Sequence, residues 1–182
     1  MKMPAEWLGE GVQQFMTETG TNSVAPVVIW GAVLSLTGGV RPRAMVLQTR
    51  GTADITEWAA TWITDDLVGH VVASKGEERW NAFSVGSRAD SLQAWARPLT
   101  DVQRVALTDV SATRASTMGP RQNEWYWSAG VLLEFEGGDT LPLPPFDPDG
   151  TRYVDTDVLS EQVNDFLQVA TTALASRRRQ EH

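Results

Sequence analysis

Apolar and polar residues follow three rhythms along this chain. In residues 5–18, AEWLGEGVQQFMTE, Leu8, Val12, Phe15 and Met16 recur at helical spacing and share one face. Gly9 and Gly11 weaken that helix, so it needs a surface to lean on. After GTNS the texture changes to short apolar runs, roughly 26–36, 43–49, 54–64, 67–74, 92–97, 102–109, 125–136 and 140–143. Eight runs punctuated by Gly, Asp and Pro predict an antiparallel sandwich or barrel, with 26–36 as a buried strand or core segment. The third rhythm runs from Asp157 to Ser176, where Leu159, Val163, Phe166, Leu167, Ala170 and Leu174 return at helical spacing. Asp155, Thr156 and Asp157 supply its cap and early negative charge, and Arg177, Arg178 and Arg179 complement the dipole at its end.

The stretch NEWYWSAGVLLEFEGGDTLPLPPFD, residues 123–147, holds the strongest alternation. Trp125, Trp127, Ala129, Val131, Leu133 and Phe135 share parity, so they predict one buried strand face, with Tyr126 on the wetter side. Both tryptophans are therefore expected in the core and not on a ligand platform. A two-residue Gly137-Gly138 turn would set Phe135 opposite Thr140, apolar against polar. A three-residue loop, Gly137 to Asp139, sets Phe135 opposite Leu141 and Leu133 opposite Leu143, which keeps one face apolar. Pro142 and Pro144 then point outward on a strand that cannot donate a full ladder, hence an edge strand.

Length and charge narrow the picture. The 182 residues suit one domain with short extensions. We divide them into a helical extension (1–23), a barrel domain with its C-terminal helix (24–176) and a basic tail (177–182). No cysteine is present, which excludes disulfides, thiolate metal sites and cysteine nucleophiles. A net charge of −8 disfavours nucleic acid and anionic lipid. Only Lys2 and Lys75 are lysines, and with abundant Ala, Gly and Val this points to a GC-rich bacterial source. Lys2 is followed by Glu6 and Glu10, without the apolar region of a signal peptide. Val24–Leu36 is shorter than the roughly 18–20 apolar residues of a membrane span. A soluble, cytoplasmic protein is expected.

The order of many short strands, a closing hairpin and one amphipathic helix resembles a pleckstrin-homology-like barrel, in which the helix plugs an open end. WITDDLVGHVVA (62–73), ARPLTDVQRVAL (96–107) and AGVLLEFEGGDTLPL (129–143) are similar to segments of bacterial PH-like and GRAM-like domains. The resemblance spans roughly residues 43–176; the first 40 residues are extra and two connections are long. It implies a mainly β, α+β fold, an antiparallel PH-like barrel or sandwich capped by a C-terminal helix. It also implies a binding or scaffolding role, and a fold alone does not give chemistry. The arginines nearest an inositide-binding first hairpin are Arg41, Arg43 and Arg50, without a lysine partner.

Candidate chemistry is sparse. His70 and His182 are the only histidines, and nothing near a serine resembles a nucleophile elbow. DPDGTRYVDTD (147–157), aligned as an EF-hand loop on Gly150, would put Pro145 first and Thr156 twelfth, both unsuitable. Asp65-Asp66 reads as a hairpin turn, and no phosphate-cradling glycine motif occurs. We expect no catalytic residue, no metal and no cofactor. Pro142 to Pro145 matches a PxxP pattern, which an edge-strand ending also explains.

Two long connections remain. Residues 74–91 carry Trp80 and Phe83 among Lys75, Arg79 and Arg88; residues 111–124 carry Met118 between Arg114 and Arg121. Aromatics beside arginines suit a protein–protein contact, while Trp80 and Phe83 folding back onto the barrel is the competing account. The expectation is a non-enzymatic PH-like interaction or scaffold module with a protein partner and no nucleic acid, its oligomeric state open. A peripheral membrane or lipid-headgroup module is the alternative, and a hydrolase stands third.

Overall fold

The computed structural model describes residues 25–77, 80–81, 88–114, 125–146 and 156–180. For 112–114, 125–128, 156–158 and 177–180 only the backbone is described. Seven of the eight apolar runs form strands: β1 (Ala44–Gly51), β2 (Thr56–Ile63), β3 (Leu67–Lys75), β4 (Ser91–Pro98), β5 (Val102–Arg114), β6 (Trp125–Phe135) and β7 (Thr140–Leu143). β1 to β4 make one antiparallel sheet in chain order, and β5 to β7 make a second. The fold is mainly antiparallel β with a C-terminal helix.

The eighth run, 26–36, is a correction: it forms helix α1, Val27–Thr37. Its residues are apolar on every side and carry no alternation, and such a run does not separate strand from helix by periodicity. Its ends decide. Pro26 precedes it and Gly38 follows in the left-handed region at φ 63°, donating its N–H to the Leu34 carbonyl. Ile29, Trp30 and Val33 are buried against the first sheet. Each such side chain contributes roughly 1.5–3 kcal/mol before entropic costs.

Strands β1 to β3 of the first sheet are therefore covered on both faces. One face (Ala44, Val46, Ile63, Val68) meets Val131, Leu133, Phe135, Leu141 and Leu143 of the second sheet. The other (Met45, Leu47, Trp58, Ala60, Trp62, Val71, Ala73) lies under α1 and Trp80. Trp62 lies so close over Gly69 that a Cβ there would strike its ring. The final helix, α2 (Thr156–Gln180), buries Leu159, Val163, Phe166 and Ala170 in the core between the sheets. It outruns the expected end at Ser176, so Arg177, Arg178 and Arg179 are helical and not a tail.

The closing hairpin keeps its expected parity and shifts its register. Leu133 opposes Leu141 and Val131 opposes Leu143. The loop is three residues long, but it starts at Glu136, because the Phe135 N–H bonds the Asp139 carbonyl at 2.9 Å. Gly137 and Gly138 take the positive φ that this turn requires. A shift of two leaves every side chain on its own face, so alternation alone does not distinguish the two registers. β7 is the expected edge strand, with Pro142 exposed. Trp125, Tyr126 and Trp127 lie on β6, but their side chains fall outside the described set, as does the whole 5–18 segment.

Candidate functional site

Of the seven expected interaction residues, only Trp80 and Arg88 have described side chains. Trp80 is 1% exposed and sits in the core under α1, which takes it off the surface. Its carbonyl accepts from the Trp58 indole at 2.7 Å, and Thr56 Oγ1 bonds the Glu77 carbonyl at 2.7 Å. The chain after β3 thus folds back onto the sheet and buries the large apolar area of the Trp80 ring, its Nε1 left without a partner among the described residues. Arg88 is exposed. Arg114 ends β5 opposite Trp125, its side chain not described. Arg79, Phe83, Met118 and Arg121 lie outside the described residues, as does most of 147–157.

What the fold leaves open is the seam between β4 and β5. In the row Thr49–Trp58–Ala73–Leu92, which shares one face of the first sheet, the first three residues are buried and Leu92 is 47% exposed. The parallel row Leu47–Ala60–Val71–Ala94 likewise ends on an exposed residue. The α1 cover therefore reaches the Ala96 end of β4 but leaves Leu92 and Ala94 exposed. On β5, Leu107 shares a face with buried Val131 yet is 52% exposed, and Val110 is 62% exposed. The two strands join through a turn at Leu99–Asp101, where Arg97 pairs with Asp139 at 2.5 Å and lies over the Phe135 ring. Beyond that clip, no ladder links β4 to β5 among the described residues.

His70 lies on β3, on the inner face of the first sheet, in the row Val46–Thr61–His70–Trp95. Its Nδ1 lies 2.8 Å from Thr61 Oγ1, and its ring lies 6.0 Å from that of Trp95. Trp95 meets Phe135 edge to face at 5.7 Å. Burial lowers the imidazole pKa from 6.5 to about 4, so the ring is neutral at pH 7. Asp65 and Asp66 occupy the β2–β3 turn as expected; Thr64 Oγ1 accepts from the Leu67 N–H at 3.0 Å, and Asp65 pairs with Arg43. The described residues contain no group of three His, Asp or Glu placed to hold a metal ion. No described helix is long and apolar enough to cross a membrane.

Leu92, Leu107 and Val110 were not singled out by sequence reasoning, because an apolar residue in a strand run is ordinarily read as core. The available signal was the uncharged string SLQAWA, residues 91–96, on a strand bounded by exposed turns. No family model, no curated protein and no solved structure matches this chain.

Proposed function

We propose that this chain is a non-enzymatic, pleckstrin-homology-like interaction module that binds a protein partner at the seam between β4 and β5. Supporting the PH-like reading is the meander of four strands, then three, then one long helix lying on the core between them. One observation carries the binding reading. Leu92, Leu107 and Val110, three of the most exposed large apolar side chains described, flank two strand edges that no described strand covers. Exposed apolar groups beside an unpaired strand edge are candidates for a contact site. Arg88, close to the start of β4, supplies a charged rim residue.

The direct test is a pull-down with Leu107→Glu, Val110→Glu and Leu92→Glu, each checked for an unchanged melting temperature. Specific partners should be lost from at least one variant. Recovery unchanged in all three would remove the seam as the site. Binding to anionic vesicles should be weak and erased by salt, because the chain carries −8 overall. Tight vesicle binding at physiological salt would put the peripheral membrane reading first.

A further inference from the structure

The two sheets have four edges, and the chain treats them differently. At β1, the Leu47 N–H donates to Gln162 Oε1 of α2 at 3.0 Å, so the helix covers that edge. β7 is four residues long and contains Pro142. β5 is broken by irregularities at 102–104 and 108–111, with Asp109 at φ 50°, and it carries Arg104 and Asp109. Helix cover, proline, bulges and charge are the known means of keeping an edge from pairing. Among the described residues, β4 carries no proline, bulge or charge between Ser91 and Ala96, and it meets α1 only on the face that holds Ala96. Its register with β3 runs unbroken from Pro98 to Ser91, its first six residues are uncharged, and its only proline ends it.

We propose that the free edge of β4, from Ser91 to Ala96, takes up an extended, uncharged peptide segment of a protein partner as an added antiparallel strand. The inference rests on the reading of this chain as a protein-interaction module and states how the partner is held. Alternating N–H and C=O groups along an edge accept only an extended chain, and they supply affinity without regard to side chains. Side chains then set preference. On one face the incoming strand continues the stripe Leu92, Ala94 and Ala96; on the other it meets Gln93 and Trp95, on the side of the seam that Leu107 faces. Neither face offers a charge between residues 91 and 96, and Arg97 is held by Asp139, so an ionised peptide side chain would lose water there without gaining a counter-charge. The clip at Arg97 and the turn at Leu99–Asp101 set the limit of the slot at that end.

A capped peptide of alternating threonine and valine, with serine and glycine ends, is the probe. Hydrogen exchange of the full chain is followed residue by residue as the peptide is added. Amides between 91 and 96 should slow roughly tenfold at ten times the dissociation constant, with β5 unchanged. The same peptide N-methylated at the edge-facing positions should not bind, which tests the ladder without altering the protein. Leu92→Lys should weaken binding while leaving the melting temperature in place. Protection on residues 105–113 in place of 91–96, equal binding by the methylated peptide, or no protection at millimolar peptide would each overturn the proposal. Protection of β4 that grows with protein concentration in the absence of peptide would also overturn it, identifying a second copy of the chain as the occupant. If the peptide protects β4 while partner recovery is indifferent to every seam variant, strand addition stands and the partner-binding site assigned above falls. If recovery depends on Leu107 and Val110 and β4 stays unprotected, the reverse holds.

Discussion

β1 and β4 are the two edges of one sheet, both eight residues long, and they have opposite fates. The first six residues of β1 are buried, and α2 lies against the strand and bonds its backbone through Gln162. The first four residues of β4 are exposed on both faces. The difference does not come from the strands themselves, since LQAWA is hardly more polar than AMVLQ. It comes from cover supplied elsewhere, by α2 more than a hundred residues along the chain and by α1 on the outer face. An edge is closed by what packs on it, and here the cover on β4 reaches Ala96 and leaves its first four residues exposed.

The largest way to break this contrast is to loosen α2. Phe166 is fully buried, and Phe166→Ala should cost about 3–5 kcal/mol in chemical denaturation, with β1 amides losing protection before β4 amides change. A cost under about 1 kcal/mol would show that the helix does not hold the covered edge. Acid probes the row that crosses from β1 to β4 through His70. Its folded pKa of about 4 lies below the ordinary 6.5, so the unfolded chain binds the proton more readily between those values. Stability should therefore fall as pH drops from about 6.5 toward 4, by at most about 3 kcal/mol, discounted because the ring is only partly buried. His70→Asn should flatten that slope, and an unchanged slope would move the effect to other groups.

Smaller effects sharpen the comparison. Gln162→Ala leaves the Leu47 N–H without its acceptor and should cost about 1–2 kcal/mol, read as a lower melting temperature and faster exchange at Leu47. Exchange at Leu47 equal to wild type would mean that the edge is covered without that bond. Leu92→Lys, at the uncovered edge, should change stability by less than about 0.5 kcal/mol while reducing any tendency of the protein to associate at high concentration. A larger loss would show that β4 is packed more firmly than its exposure implies.

Much of this architecture was legible in residue order. Alternation through Val131, Leu133 and Phe135 marks the buried face of β6, and the helical spacing of Leu159, Val163, Phe166 and Ala170 marks the buried face of α2. Both depend on local geometry, since side-chain direction repeats every two residues in a strand and every 3.6 in a helix. The hairpin register was less legible: Leu133 opposite Leu141 and Leu133 opposite Leu143 are equally apolar, and only the closed loop of Glu136 to Gly138 separates them. The candidate site was least legible. Trp80 reads either as an interface aromatic or as a residue folded back onto the barrel until Trp58 is seen bonded to its carbonyl, and Leu92 reads as core until it is seen 47% exposed.

The sequence by itself determined seven of the eight strand runs, the faces of β6 and α2, and the edge position of β7, because period and proline chemistry act over a few residues. Tertiary structure alone decided that 27–37 is a helix roofing the first sheet, that Trp80 lies inside, and that β1 is covered while β4 is bare. Those outcomes rest on contacts between segments far apart in the chain, where what buries a residue is the surface that reaches it and not its own neighbours.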